Sequence, residues 1–210
     1  MIRSWAAITA RLFWNWKGWI RSMKILFASD IHGSASAAEM VLSRFESEKC
    51  DRLILLGDLL YHGPRNDLPD RYDPKAVTSL LNAYPVTPLC VRGNCDAEVD
   101  QMVLQFPIQA DYMLLPLEGQ QCAFVTHGHL FNTQCPPPHK KGDVLIHGHT
   151  HVHGVWPQGD YTYVNPGSAA LPKEGQPKSY MVYENGVFTI KALETGDVLL
   201  AWQAESSIYP

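Results

Sequence analysis

Short apolar segments alternate with helix-like segments in the first half of the chain, and this alternation constrains the fold more than any other feature. The segments 24–29, 52–56 and 88–91 are apolar and have the length of buried strands. Between the first two, segment 34–49 has the apolar periodicity of an amphipathic helix, and segment 74–83 also has helical character. A strand–helix–strand–helix–strand order is typical of a largely parallel sheet with crossover helices. We therefore predict an α/β fold.

The second half of the chain has a different pattern, with short strand-like segments separated by turns. Asn185-Gly186 is a strong signal for a β-hairpin. With 210 residues the chain can bury one large core, and a single domain is the expectation at this length. The predicted strands of this half are 111–117, 122–126, 144–147, 161–164, 180–183, 187–192 and 198–204.

The cysteines argue against a secreted disulfide scaffold and against a zinc ribbon. They are odd in number and show no C-x-x-C spacing. No run of about 18 uncharged apolar residues suggests a transmembrane helix. We therefore expect a cytoplasmic protein from a reducing compartment. The five cysteines are Cys50, Cys90, Cys95, Cys122 and Cys135.

The charge distribution separates residues 1–22 from the rest. All charged residues of this segment are basic, so the remaining chain carries 13 basic and 21 acidic side chains. An acidic body is poorly suited to long nucleic acids, because Lys and Arg contacts to phosphate dominate that affinity. We expect no nucleic-acid partner of this kind.

Residues 1–22 form an N-terminal extension, and residues 23–210 are the predicted domain. Three interpretations of the extension stay open. The natural chain could start at Met23, or the segment could be a basic amphipathic helix on an anionic membrane surface, or it could dock on the body or on a partner. Its apolar residues recur at three- and four-residue spacing, as on one helical face: Trp5, Ile8, Leu12, Trp16 and Trp19.

A polar residue follows the end of nearly every predicted core strand. In open α/β sheets, ligands bind at the carboxyl ends of the strands, where loops that are distant in sequence converge. We therefore expect these side chains to form one cluster. They are Asp30, His32, Asp58, Asn94, His127, His149 and His151.

Such a cluster has the chemistry of a metal site. Carboxylate, amide and imidazole ligands without thiolate suit Mn²⁺, Fe, Zn²⁺ and similar ions. Seven ligands are too many for one catalytic ion with an open position, but they suffice for two ions that share a carboxylate. Two ions about 3.5–4 Å apart can bind both the attacking and the leaving oxygen of a phosphoryl displacement. A water molecule that bridges them would be deprotonated near neutral pH and would attack the phosphorus in line.

Each motif has a simpler interpretation when it is taken alone. Gly57-Asp58 could be a plain turn, and Asn94 could be a turn residue with positive φ. The alternating histidines from His147 to His153 could decorate one face of a strand. The metal prediction depends on all the motifs together, each directly after a strand.

The motifs together resemble those of the calcineurin-like metallophosphoesterases. The resemblance extends from Met23 to the C-terminus and is greatest to the small bacterial phosphodiesterases of the YfcE type. Three further stretches look like that group, at 61–66, 98–102 and 165–168. The motifs that carry the resemblance are Asp30-Ile31-His32, Gly57-Asp58, Gly93-Asn94-Cys95-Asp96, His127-Gly128-His129 and Gly148-His149-Thr150-His151.

The resemblance implies a fold and a ligand assignment. The fold would be a four-layer αββα sandwich of two mixed sheets flanked by helices. Mn²⁺ would be the favoured ion, with Fe, Zn²⁺, Ni²⁺ and Mg²⁺ as alternatives. Asp58 would bridge the two ions. The first ion would be held by Asp30, His32 and His151, and the second by Asn94, His127 and His149.

One position departs from the wider family. Where the family has a histidine that is thought to assist the leaving group, this chain has Cys95, as the YfcE-type group does. Beside two cations the thiol would tend toward thiolate, although it could also merely pack against Asn94. We therefore expect phosphodiesters to be preferred over phosphomonoesters.

The remaining functional assignments are less constrained. Asn94, Asp58, His129 and Cys95 are the predicted catalytic residues. Arg65, Arg92 and His62 are candidate substrate contacts, although Arg92 could instead form a structural ion pair. The alternatives are a phosphomonoesterase with the same metal core and a non-catalytic scaffold of the same fold. A small phosphodiester is the expected substrate, and the C-terminal strands could offer an edge for a homo-oligomer.

Overall fold

In the computed structural model, which describes residues 23–118 and 121–204, two mixed β-sheets pack face to face. The predictions made for residues 1–22 lie outside the described residues. Within the described ranges, the helices are α1 (Ala35–Ser47), α2 (Pro74–Ala83) and α3 (Glu98–Val103). The strands are β1 (Ile25–Ala28), β2 (Arg52–Leu55), β3 (Leu89–Cys90), β4 (Tyr112–Pro116), β5 (Cys122–Thr126), β6 (Val144–Ile146), β7 (Gly154–Pro157), β8 (Thr162–Asn165), β9 (Ser179–Glu184), β10 (Val187–Ala192) and β11 (Val198–Gln203).

Sheet I has the strand order β11-β10-β9-β1-β2-β3. Strands β1, β2 and β3 are parallel, and the helices α1 and α2 form the crossovers between them, as the alternation in the sequence predicts. The β9–β10–β11 meander then adds antiparallel to β1. Its turn is the predicted Asn185-Gly186 hairpin, and β11 is left as an edge strand of the sheet.

Sheet II has the strand order β4-β5-β6-β8-β7. Strands β5, β6 and β8 are parallel, while β4 and β7 pair antiparallel at the two edges. The carboxyl ends of β5 and β6 therefore lie at one end of this sheet, just as those of β1 and β2 do in sheet I.

Alternation along β1 separates the two main layers of the core. Leu26 and Ala28 face the helices and pack in a cluster with Val41 of α1. Ile25 and Phe27 face the other way, into the cluster between the two sheets. Burying a side chain as large as Leu26, Ile25 or Phe27 stabilises the fold by roughly 1.5–3 kcal/mol relative to leaving it exposed. The packing fixes the facing of the two sheets and so the position of their strand ends.

The structure confirms the predicted sandwich of two mixed sheets with flanking helices. All ten predicted strands and both predicted helices occur with ends shifted by at most two residues. Strand β7 and helix α3 were not predicted. The predicted strand 144–147 ends at Ile146, so His147 to His153 do not alternate along a strand face. Instead, His149 and His151 lie in a loop with φ of 65° and 62°.

The cysteines and the helices can be compared with what composition predicts. All five cysteines are free thiols, as expected for a chain without a disulfide framework. Among the described residues no helix has both the length and the apolar character needed to cross a bilayer.

Candidate metal centre

The polar residues after the strand ends converge where the two sheets meet. Most of them have a left-handed backbone, which is unusual for residues other than glycine and is costly unless the surroundings impose it. Strained residues of this kind concentrate at functional sites. The five with positive φ are Asp30 (57°), His32 (49°), Asp58 (55°), His149 (65°) and His151 (62°).

Asp30 keeps one carboxylate oxygen free of hydrogen bonds. Its Oδ2 accepts hydrogen bonds from Ser29 Oγ at 2.6 Å and from the His149 backbone N–H at 3.0 Å. Its Oδ1 is buried and has no hydrogen-bond partner. This oxygen lies 3.2 Å from His151 Nε2 and 3.6 Å from His32 Nε2. A buried carboxylate oxygen left in this way is suited to a cation.

Three of the histidines are oriented by backbone carbonyls. A carbonyl oxygen can only accept a hydrogen bond, so each ring carries its proton on Nδ1 and directs Nε2 into the cluster. Metal-binding histidines commonly donate their second ring N–H in this manner. The three bonds are His32 to Tyr61 O at 2.8 Å, His127 to Leu56 O at 2.7 Å and His151 to Leu171 O at 2.6 Å.

Asp58 faces two groups of histidines with the same oxygen atom. Its Oδ1 accepts a hydrogen bond from the Cys95 backbone N–H at 2.8 Å. Its Oδ2 lies 3.6 Å from His32 Nε2 and 3.4 Å from His127 Nε2. Asp58 therefore stands between the group that contains His32 and the group that contains His127.

The second group forms around His127. Its Nε2 lies 3.0 Å from Asn94 Oδ1 and 3.1 Å from His149 Nδ1. The Asn94 side chain is exposed, and its amide N–H donates to Cys95 Sγ at 3.2 Å. This group therefore lies at the open side of the cluster.

The spacing of these donor atoms is that of ligands around a common ion. Two donors that each lie about 2.1 Å from one ion, at tetrahedral or octahedral angles, are roughly 3.0–3.4 Å apart. His32 Nε2 and His151 Nε2 are 3.2 Å apart, and His127 Nε2 and His149 Nδ1 are 3.1 Å apart. Together with the unpartnered Asp30 Oδ1, this spacing shows that the residues fit divalent cations.

Residues 23–186 match the Calcineurin-like phosphoesterase superfamily domain. The chain belongs to this superfamily. Phosphodiesterase YfcE of Escherichia coli (strain K12) is 46% identical over 177 residues, which is 84% of this chain and 96% of that protein. The solved structure of the E. coli phosphoesterase Yfce superposes with a TM-score of 0.83 at 44% identity and covers 87% of this chain and all of its own.

The fold is also shared with Vps29 proteins. Vps29 of Cryptosporidium parvum superposes with a TM-score of 0.56 at 16% identity and covers 87% of this chain and 99% of its own. At this identity the likeness shows the fold alone.

The carboxylates and histidines of the site shift one another's pKa values. Burial would raise the pKa of Asp30, but His151 and His32 hold it well below its ordinary value. Burial opposes protonation of His127, yet the carboxylate of Asp58 raises the pKa of this histidine to about 9. Burial likewise opposes protonation of His32, and Asp30 still raises its pKa. Each buried carboxylate thus stabilises the protonated form of the histidines that face it, and a cation bound between them would replace those protons.

Cys95 lies beside the carboxylate of Asp58. It lies within reach of His32 and Asp58, and it also packs against the Asn94 amide. In the metal-free protein, burial and the nearby Asp58 raise the pKa of the Cys95 thiol to about 12. Bound cations would act in the opposite direction.

Asp96 is the last residue of the motif at 93–96, and the structure gives it a supporting role. Its buried carboxylate accepts three backbone N–H bonds, from Asp58 at 2.8 Å, Leu59 at 2.9 Å and Gly93 at 2.7 Å. Burial raises its pKa despite these bonds. Asp96 therefore fixes the Asp58 turn to the loop that carries Asn94.

His129 and Arg92 lie near the second group, whereas His62 and Arg65 lie on a different loop. His129 lies beside the second group, with its ring centre 5.5 Å from that of His127, and burial lowers its pKa. Arg92 is close enough for its charge to lower that pKa further, and its Nε is buried without a hydrogen-bond partner. His62 packs edge-on against two tyrosines, and Arg65 is exposed on the same loop.

Proposed function

We propose that this phosphoesterase hydrolyses small phosphodiesters with two divalent cations. Bound at the centre, the two ions supply the Lewis acidity that activates a water nucleophile and neutralises charge on the phosphoryl oxygens. The residues that would hold the first ion are Asp30, His32, His151 and Asp58. Those that would hold the second are Asp58, Asn94, His127 and His149.

The position of Asp58 is the observation that carries this proposal. One of its oxygens faces His32 and His127 at 3.6 and 3.4 Å, whereas the other is engaged by the backbone of Cys95. An oxygen shared in this way joins two ligand groups into one centre. The 46% identity to phosphodiesterase YfcE supports the same class of reaction. A scaffold would not require this set of ligands.

The residues at the open side have separate tasks. Asn94 contributes an amide oxygen without adding negative charge, which favours an anionic substrate nearby. Arg92 and His129 lie near the open side of the cluster and can donate hydrogen bonds to phosphate oxygens. His62 and Arg65 stand on the loop that follows Tyr61, whose carbonyl orients His32. They would contact the more distant part of the substrate.

The preference for diesters follows from Cys95. A monoester carries nearly two negative charges, and its leaving oxygen needs a proton. Cys95 stands where the wider family has an imidazole, and a thiol is a weak hydrogen-bond donor. The centre is therefore suited to substrates with a single negative charge and a good leaving group.

A comparison of two chromogenic substrates tests the proposal. With Mn²⁺ present, bis(p-nitrophenyl) phosphate should be hydrolysed with a higher kcat/KM than p-nitrophenyl phosphate. Cys95→His should narrow the difference by raising the monoesterase activity. Cys95→Ser, which removes the thiol without adding an imidazole, is the control and should not narrow it. A wild-type enzyme that prefers the monoester would replace the diesterase proposal by the phosphomonoesterase alternative.

A further inference from the structure

Segment 165–171 joins the two metal-ligand loops at the first ion site, although it contributes no ligand. The segment starts at the end of β8 with Asn165 and runs through Ser168 to Leu171. Asn165 and Ser168 are both fully buried. Buried polar side chains need hydrogen-bond partners, and three of the partners here belong to the ligand loops.

Ser168 binds the backbone at Asp30. Its Oγ donates to the Asp30 carbonyl at 2.9 Å and accepts from the Leu171 N–H at 2.8 Å and the Ala170 N–H at 3.2 Å. The hydroxyl therefore links the left-handed Asp30 residue to the far end of the segment.

Leu171 completes the link on the other side of the site. Its carbonyl accepts the hydrogen bond that orients His151, at 2.6 Å. Ser168 thus holds Asp30 directly and His151 through Leu171. The metal-facing atoms of these two residues, Asp30 Oδ1 and His151 Nε2, lie 3.2 Å apart. A shift of the segment would therefore move both Asp30 and His151.

Asn165 holds the loop that carries His149 and His151. Its amide N–H groups donate to the Gly148 carbonyl at 3.0 Å and to Thr150 Oγ1 at 2.9 Å. These contacts lie on each side of His149, which has a left-handed backbone. A backbone conformation that is unfavourable by itself persists only where the surroundings impose it.

We propose that Ser168 and Asn165 are positioning residues that hold the metal ligands in place before any metal binds. Ser168 acts on the first ion through Asp30 and His151. Asn165 acts on both ions through the loop of His149 and His151. This inference rests on the proposed dinuclear centre.

Calorimetric titration of metal-free protein with Mn²⁺, without substrate, tests the inference. The wild type should bind two ions. Ser168→Ala should weaken the binding of one ion about 10- to 100-fold, the usual effect of removing a residue that supports a metal ligand, and leave the other within about twofold. Its kcat at saturating Mn²⁺ should stay near the wild-type value while the half-saturating Mn²⁺ concentration rises.

Two further variants separate positioning from simple destabilisation. Asn165→Asp keeps the size of the side chain but removes its N–H donors, and it should weaken both ions. Tyr180→Phe is the control, because it deletes a buried hydroxyl that bonds Glu48 at 2.8 Å, beside the start of β1. It should lower the melting temperature without changing the Mn²⁺ isotherm.

The outcomes are distinguishable. If Ser168→Ala and Asn165→Asp both give the wild-type isotherm, or lower kcat with an unchanged half-saturating Mn²⁺ concentration, the positioning inference is wrong. If the wild type itself binds fewer than two ions, the dinuclear proposal fails first. If Ser168→Ala does not fold, the isotherm of Asn165→Asp decides.

Discussion

Asp58→Asn replaces one oxygen atom at the centre of the site and leaves most other contacts in place. The amide oxygen can still accept the hydrogen bond from the Cys95 N–H. The amide nitrogen takes the place of Oδ2, which lies 3.4 and 3.6 Å from two histidine nitrogens. An N–H group cannot bind a cation. The substitution therefore removes both the shared ligand and its charge.

The magnitude follows from the charge that is lost. A carboxylate charge and a unit positive charge about 3.5 Å away attract each other by roughly 5 kcal/mol at an effective dielectric constant of 20. If only about 2.7 kcal/mol of this acts in the transition state, the rate falls about 100-fold. We expect Asp58→Asn to lose most of its bound metal and at least about 100-fold in kcat/KM for bis(p-nitrophenyl) phosphate.

The assay combines metal analysis of dialysed protein with steady-state kinetics. Asp143→Asn is a matched control, because that carboxylate also accepts backbone N–H bonds, from Cys122 and Lys140, but stands at the start of β6. The control should keep two ions and normal turnover. An Asp58→Asn protein with wild-type turnover would remove Asp58 from the mechanism.

Three further predictions follow from other parts of the structure. Asn94→Asp should keep its metal but raise KM, because it adds negative charge beside an anionic substrate; unchanged KM and kcat would contradict this role. Gly148→Ala should weaken Mn²⁺ binding about 10-fold in titrations. The added methyl group would collide with Ser29 Oγ, which donates a hydrogen bond to Asp30; an unchanged isotherm would refute the close approach. Burial would raise the pKa of Glu48, but the hydrogen bond and charge of Lys191 lower it. Ionised Glu48 therefore stabilises the fold above the ordinary glutamate pKa, and this contribution is lost as the pH falls through the lowered pKa. Glu48→Gln should therefore lower the urea midpoint at pH 7 and lower it less at pH 3.5; an equal effect at both pH values would contradict the ion pair.

The sequence predicts the convergence of these residues because strand ends have a fixed geometry. Parallel strands place their carboxyl ends at one edge, so residues after β1, β2, β5 and β6 must converge once the strands are recognised. Apolar segments of four to six residues are easily recognised. The pairing of strands is harder, since periodicity does not show that β9 lies beside β1.

The supporting roles of three motif residues could not be predicted from the pattern. Asp96, Asn165 and Ser168 bond to backbone groups whose positions exist only in the folded chain. A buried Asn or Ser in a sequence resembles any turn residue. The proposed division of ligands between two ions also depends on the orientation of Asp58, and the sequence pattern alone leaves that orientation open.

Anomalous diffraction from crystals of the Mn²⁺-loaded protein tests the central claim most directly. We predict two manganese peaks, one on each side of the Asp58 carboxylate. The ligands of the first peak should be Asp30, His32 and His151, and those of the second Asn94, His127 and His149. A single peak, or peaks that do not share Asp58, would contradict the dinuclear centre.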